Sequence, residues 1–258
     1  MRLFKELWQY REMIVSLVKR DLKSRYKGSF LGFLWMFLNP LFQLVVYTIV
    51  FSTIMRMGIE NFYLFLFVAL VPWIFFSTCL SSGTTVIFGQ QDMVKKIYFP
   101  REVLPLAFTL SQFVNMLLSF VIIFIVVFIS GTKVTVQALL FLPLVMISEF
   151  ILALGISYLA SSLNVFFRDL EHILSIISMA WMYLTPVLYP IDMIPENYLP
   201  IYFLNPMTPI IIAYRDILYY GRTPEGGTLL KAFGMGLIVL IIGHITFAKL
   251  QRKFAEEL

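Results

Sequence analysis

Charged residues vanish from long stretches of this chain, and the stretches share a length class. Positions 28–55, 61–91, 103–132, 173–191 and 232–248 hold no Asp, Glu, Lys or Arg. One further apolar stretch, 138–163, carries a single carboxylate near its middle, Glu149. Crossing a hydrocarbon core of ~30 Å takes about 20 helical residues, which each stretch approaches or exceeds. The runs lack the in–out alternation of barrel strands, and a helix satisfies its own backbone in lipid. The pattern predicts an all-α integral membrane protein with six spans, at about 30–55, 62–88, 103–130, 138–163, 173–190 and 230–248. It reads as one membrane domain over 1–258, without internal repeat or linker.

Two segments do not fit the spanning pattern. Residues 1–27 place Leu3, Leu7, Ile14, Leu17, Val18 and Leu22 near one helical face, with Lys5, Glu12, Lys19 and Lys23 elsewhere. That is an amphipathic helix suited to lie in a membrane interface. Residues 191–227 contain Pro195, Pro200, Pro206 and Pro209 around an uncharged, largely apolar core. Short helices that dip into the outer leaflet and return, forming a re-entrant lid, account for that mixture.

Basic residues set the orientation. Eight precede the first run: Arg2, Lys5, Arg11, Lys19, Arg20, Lys23, Arg25 and Lys27. With the N-terminus inside, Lys95, Lys96, Arg101, Arg168, Lys249, Arg252 and Lys253 also fall inside, and only Arg56, Lys133, Arg215, Arg222 and Lys231 fall outside. This asymmetry places both termini in the cytoplasm. The first apolar run is longer than the ~7–15 residues of a signal peptide's core, so it reads as a retained span.

Composition agrees: 60% of residues are hydrophobic and 14% charged, with a mean hydropathy of +0.86. The net charge of +5 suits anionic headgroups and topology better than nucleic acid. One cysteine, Cys79, supports no internal disulfide, and the two histidines, His172 and His244, lie far apart. No phosphate loop G-x-x-x-x-G-K-[ST], H-E-x-x-H, C-x-x-C or G-x-S-x-G motif occurs. The chain therefore offers no catalytic residues, no metal site and no cofactor site of its own. Glu149 is the clearest intramembrane carboxylate. It serves either proton coupling or a hydrogen bond to a Ser, Thr or Tyr of a neighbouring helix.

Four local patterns carry a resemblance: KRDLKSRYKGSFLGFLWMFLNPLFQLVVYTIVFSTIM at 19–55, QDMVKKIYFPREVLPLA at 91–107, LNVFFRDLEHIL at 163–174 and NPMTPIIIAYRDILYYG at 205–221. In this order the chain resembles the permease subunit of a type-2 ATP-binding-cassette exporter, in the branch that moves polysaccharides such as lipid-linked O-antigen, or teichoic acid. The resemblance implies a homodimer of six-span subunits in the bacterial inner membrane, without enzymatic activity. Two cytoplasmic ATPase subunits would bind ATP and Mg, and a lipid-linked glycan and membrane lipids would complete the partners. It also implies an ATPase-coupling loop at Asp92, Met93, Val94, Lys95, Lys96, Ile97 and Arg101, and an interface helix including Leu7, Trp8, Arg20 and Lys23. The residues support a short amphipathic helix there, with apolar Met93, Val94 and Ile97 set to dock and charges to fix register. Arg168, Asp169 and Glu171 form a further inside loop that suits the same partner.

Aromatic residues are 17% of the chain. Their faces stack on sugar rings, and many weak sites let a polymer slide. Trp35, Tyr47, Trp181, Tyr183 and Tyr189 are the candidates for such a path. A teichoic acid exporter, a small-molecule permease and an ion-coupled secondary transporter are the rival readings. A membrane-embedded transferase would need a cluster of carboxylates or histidines that the sequence lacks.

Overall fold

The computed structural model describes residues 7–26 and 31–258, and every regular element among them is helical. Leu3, Lys5, Lys27 and the start of the first expected span lie outside the described residues. We label the helices α1 (Arg11–Tyr26), α2 (Trp35–Thr48), α3 (Phe62–Ser81), α4 (Gln91–Lys96), α5 (Val103–Ser130), α6 (Val136–Asn164), α7 (Leu170–Tyr183), α8 (Met207–Leu218) and α9 (Gly226–Leu250). A wide π turn, Ile49–Ile54, prolongs α2, and a tighter turn, Ser82–Val86, prolongs α3. With these extensions, five helices among the described residues are long and apolar enough to cross a membrane.

α3 is the centre of the bundle. In its most apolar eighteen residues 78% are buried inside the protein, against 11% in α2. It is apolar on all sides because it has protein on nearly all sides, packing on α2, α5, α6, α7 and α8. Phe65, Phe67, Phe76 and Leu66 are fully enclosed there, joined by Phe120 of α5 and Tyr214 of α8.

The most extensive helix pair is α6 with α9. Three glycines make it possible. A Cβ on Gly155 would sit 2.6 Å from the Leu240 backbone, one on Gly236 would sit 3.1 Å from the Ser148 carbonyl oxygen, and one on Gly243 would collide with the Gly155 carbonyl. Lipid offers helices no hydrophobic reason to associate, so backbone approach and dispersion contacts hold such a pair.

Contacts at the ends sort the loops into two poles. At one, Leu7, Tyr10, Met13, Ile14 and Leu17 pack on a cluster of Ile87, Val94, Phe99, Leu104, Phe247 and Phe254. The rings of Phe166 and Phe254 lie 6.4 Å apart there, and the Arg168 guanidinium lies 5.1 Å over Phe88. Since Lys95, Lys96, Arg101, Arg252 and Lys253 share these segments, we call this the basic pole. At the opposite pole Tyr219 donates to the Glu60 carbonyl at 2.6 Å, and Thr135 to that of Gly221 at 3.1 Å. Gly221 has φ +67, and a Cβ there would strike the Lys133 carbonyl. Nearby, Gly131 closes α5 in a left-handed turn (φ 70) and Thr135 caps α6 by accepting from the Ala138 N–H at 3.2 Å.

One expected boundary is corrected. The span expected at 173–190 is a 14-residue helix ending at Tyr183, followed by turns through 184–190. At 1.5 Å per residue α7 is about 21 Å long, short of the ~30 Å hydrocarbon core. Pro186 and Pro190 explain the stop, since each lacks an N–H and pushes its predecessor out of helical geometry.

Gly155→Val should force α6 and α9 apart and cost about 1–3 kcal/mol in packing. The purified protein in detergent should melt several degrees lower, while Gly234→Ala, whose added Cβ meets nothing within 4 Å, should leave the melting temperature unchanged.

Candidate functional site

At the basic pole, α1 lies across the start of α5. The Ser111 hydroxyl donates to the Asp21 carboxylate, and Arg20 donates to the Gln90 side chain at 2.9 Å. Leu7 turns into the cluster, while Trp8 is exposed beneath the Arg11 guanidinium, 5.4 Å away, and Lys23 faces outward. α4 sorts the expected coupling residues by direction. Val94 is 3% exposed and Met93 packs against the same internal cluster, so both belong mainly to this protein's own core. Asp92, Lys95 and Lys96 are exposed, with Lys96 to Asp92 at 3.1 Å. Being fully hydrated, that pair adds little to stability.

Beyond α4 the chain turns extended at Ile97 (φ −124, ψ 135). Ile97 is 57% exposed and Tyr98 96%, on a surface where the flanking Phe99 is buried. Sequence reasoning missed Tyr98, because one aromatic after a short helix gives no periodic signal. Arg101 and Glu102 hold the other side of the loop to the C-terminal segment: Arg101 donates to the Gln251 carbonyl at 3.0 Å, and the Gln251 amide donates to Glu102 at 2.7 Å.

The second constellation surrounds the turns after α7. Backbone carbonyls freed there need donors, since an apolar medium supplies none. Arg215 of α8, only 4% exposed, provides most of them. Its Nη1 donates to Pro186 at 2.5 Å and to Tyr189 at 3.1 Å, its Nη2 to Val187 at 2.6 Å, and its Nε to Phe65 of α3 at 3.4 Å. The guanidinium also stacks 3.6 Å over the Phe65 ring. An arginine keeps its charge in proteins, and here the carbonyl dipoles and the ring face surround it. Asn205 completes the set, donating to the Leu184 carbonyl at 3.2 Å and the Thr185 hydroxyl at 2.8 Å.

The candidate aromatics separate into two places. Trp181, Tyr183 and Tyr189 gather around these turns. Trp181 Nε1 donates to Asn205 at 3.0 Å, and the Tyr189 hydroxyl donates to the Tyr183 carbonyl at 2.6 Å and lies 3.1 Å from the Tyr202 hydroxyl. Of the three only Trp181 borders the open cavity of about 440 Å³ here, with Ile177, Ala180, Leu184, Ile201, Tyr202 and Asn205. Trp35 instead stands at the start of α2, and Tyr47 packs further along it, 6.4 Å from the Phe51 ring. Glu149 is buried in α6, where its Oε2 accepts the Tyr214 hydroxyl of α8 at 2.7 Å. Of the two expected roles, the hydrogen bond to a neighbouring Tyr is the one with a partner.

Residues 12–219 match the ABC-2 type transporter family. The chain belongs to that family. Among relatives of this ABC-2 chain, the O-antigen export system permease protein RfbA of Myxococcus xanthus is 38% identical over 259 residues, covering 100% of this chain and 99% of the relative. A protein of the same name from Klebsiella pneumoniae is 34% identical, covering 95% and 94%. The polysialic acid transport protein KpsM of Escherichia coli is 23% identical, covering 89% and 90%. In the ABC-2 chain the motif NPMTPIIIAYRDILYYG contributes both Asn205 and Arg215, the two donors that hold the turns after α7.

Arg215→Met should strip three close carbonyls of their donor, at about 1–3 kcal/mol for each group left unpaired. Purified protein should melt markedly lower, and export should fall below detection. Arg215→Lys should recover only part of this, since one ammonium cannot span three carbonyls. Glu149→Gln keeps an acceptor for Tyr214 and should retain export measured across external pH, whereas Glu149→Leu should lose it. Loss in the Gln variant would instead assign Glu149 a proton-carrying role.

Proposed function

We propose that this chain is the membrane-spanning subunit of an exporter that moves a lipid-linked, O-antigen type polysaccharide across the bacterial inner membrane. Similarity over the full length to an O-antigen export permease carries the reading. ATP hydrolysis belongs to separate cytoplasmic subunits, in keeping with a sequence that has no phosphate loop.

The basic pole faces the cytoplasm in this reading, as the distribution of Lys and Arg favours. Both termini then lie inside. The chain leaves the basic pole at Asp169 and is at the opposite pole by Tyr219, so α7 and the turns at 184–190 together make a fifth crossing. Residues 191–205 return from Tyr189 to the side of Trp181, and α8 leads outward again, which is the re-entrant lid. Six crossings follow, one of them half unwound. Low burial of α2 and the exposed face of α7 (Ile173, Ile176, Met179, Tyr183) favour a homodimer with the polymer passing between the copies.

Transport then follows from differential contact. ATP binding moves the partner subunits, and a surface of Lys95, Lys96, Ile97 and Tyr98 receives the motion. Arg101, Glu102 and Gln251 pass it into α5 and α9. Aromatics at Tyr47, Trp181, Tyr183 and Tyr189 offer a sliding glycan weak stacking surfaces, while the 191–227 lid gates the exit. Only contacts that differ between two states can drive such a cycle.

An exposed aromatic that becomes fully desolvated commonly anchors an interface, with ~2 kcal/mol lost on truncation. Tyr98→Ala should therefore lower recovery of the ATPase subunits with the tagged permease at least tenfold, and Lys95→Glu with Lys96→Glu should do the same. Both variants should reach the membrane in normal amounts. Intact complexes and undiminished export would remove the docking assignment.

A further inference from the structure

A cleft inside one subunit lies between α2, α3 and α5. Asn39, Thr78, Gln112, Asn115 and Ser119 present amide or hydroxyl groups to it, and among the described residues no charged side chain does. Trp35 stands at its rim, 37% exposed. Asn115 lies twelve residues into α5 from the basic pole, about 18 Å along the helix axis. The cleft therefore sits near the middle of the bilayer, where polar side chains face protein or water rather than lipid.

The hydroxyls have local partners. Thr78 donates to the Ile74 carbonyl at 2.7 Å and Ser119 to the Asn115 carbonyl at 3.0 Å, the usual way such residues are accommodated in a helix. The amides do not close so well. Asn115 Nδ2 reaches Gln112 Oε1 only at 3.5 Å, Gln112 Nε2 reaches Ser111 at 3.4 Å, and Asn115 Oδ1 is buried without a hydrogen-bond partner. A buried acceptor left this way costs about 1–3 kcal/mol. Asn39, at the open edge of the cleft, is exposed on a helix that otherwise presents Phe42, Val45, Val46 and Ile49. The cleft holds about 180 Å³, room for roughly six waters at ~30 Å³ each, or for one sugar ring.

We propose that this cleft is a sugar-binding subsite: it takes one uncharged, hydroxyl-bearing ring of the exported glycan, which donates to Asn115 Oδ1 and accepts from the Gln112 and Asn39 amides beside Trp35. The proposal rests on the glycan-export reading. The lining decides the chemical class. With no cation among its described lining residues, the cleft offers a phosphate or pyrophosphate link no charge to pair with, whereas amides with an aromatic at the rim match a neutral polyol (donors, acceptors and an apolar ring face). The subsite belongs to one subunit, so a dimer would carry two, on either side of the polymer's route.

The test uses the full-length chain with its ATPase partner in cells that make the polymer. A benzophenone amino acid replaces Phe42, an exposed aromatic one helical turn from Asn39 and outside the lining of the cleft, and light captures whatever lies beside its mouth. The expected product is permease carrying a ladder of glycan, seen with antiserum to the polymer and absent from cells that cannot build it. Capture of phospholipid alone, or of a second permease alone, overturns the proposal. In parallel, Asn115→Leu should lower the appearance of polymer at the cell surface by about tenfold, the loss expected for one good hydrogen bond in a water-poor site, with unchanged permease in the membrane. If wild-type permease restores export in a strain lacking its own, and Asn115→Leu does so equally while no glycan is captured, the subsite is wrong and the export reading stands. If wild-type permease restores nothing, the export reading is the one that fails.

Discussion

A charged guanidinium buried among backbone carbonyls is the contact on which the rest of this fold depends. The chain breaks its helix at Tyr183, and the peptide groups that follow must find donors inside the protein, because lipid supplies none. Arg215 meets three of those carbonyls and one more from α3, and its planar fork fits targets that a flexible ammonium could not span. Burying that charge is tolerable because the carbonyl dipoles and the face of Phe65 surround it. The dependence runs both ways. Without Arg215 the turns at 184–190 could not exist at this depth, and without the turns a buried arginine would have no partners.

From that point the architecture follows in steps. Ending α7 early lets the chain turn, come back to Asn205 beside Trp181, and continue as α8, which is buried against α3, α6 and α9. The Gly221 turn then sets the start of α9 beside α6. The close α6–α9 approach at Gly155 and Gly243 carries α9 the full height of the bundle to Phe247 and Phe254. There the Gln251 clamp holds Arg101 and Glu102, directly beyond α4. A continuous packed route thus joins the exposed surface of Lys95, Lys96, Ile97 and Tyr98 to the segment that Arg215 organises. It is made of rigid helices and buried polar contacts, which transmit displacement instead of absorbing it.

What the sequence made legible was whatever lipid enforces. Runs free of charge marked the long helices, because a charge in hydrocarbon is expensive at any point along them, and the amphipathic period of α1 identified a helix that lies against the cluster of Ile87 and Phe254. Direction within a short element was not legible. Six residues of α4 contain less than two turns, too few for a period to tell Val94, which is buried, from Ile97, which is exposed. The end of α7 was readable in LTPVLYP, where two prolines make a helix to 190 unfavourable; hydropathy alone hid it. Arg215 looked like an outside-facing positive charge because its partners are carbonyls, which every residue has and no sequence displays.

The polar cleft was illegible for a related reason, and it bears on what a single copy of this chain amounts to. Its amides and hydroxyls come from three helices, at positions 39, 78, 112, 115 and 119, so no local window contains a motif. Their meaning appears only when the helices are packed. Asn39 then stands on the least buried of the five long apolar helices, among apolar residues that lipid would accept, in a place where lipid would not accept an amide. A surface that is mostly suited to hydrocarbon, yet interrupted by an amide and a cleft without charge, is poorly explained by lipid contact alone. Nor does it suit an aqueous pore for ions, which would call for charged rings or converging carbonyls. It is suited to a moving neutral polymer on one side and a second copy around it. In the proposed exporter the exposed face of α2 is the inner wall of a larger assembly, backed by α3, to which Arg215 is bonded through the Phe65 carbonyl.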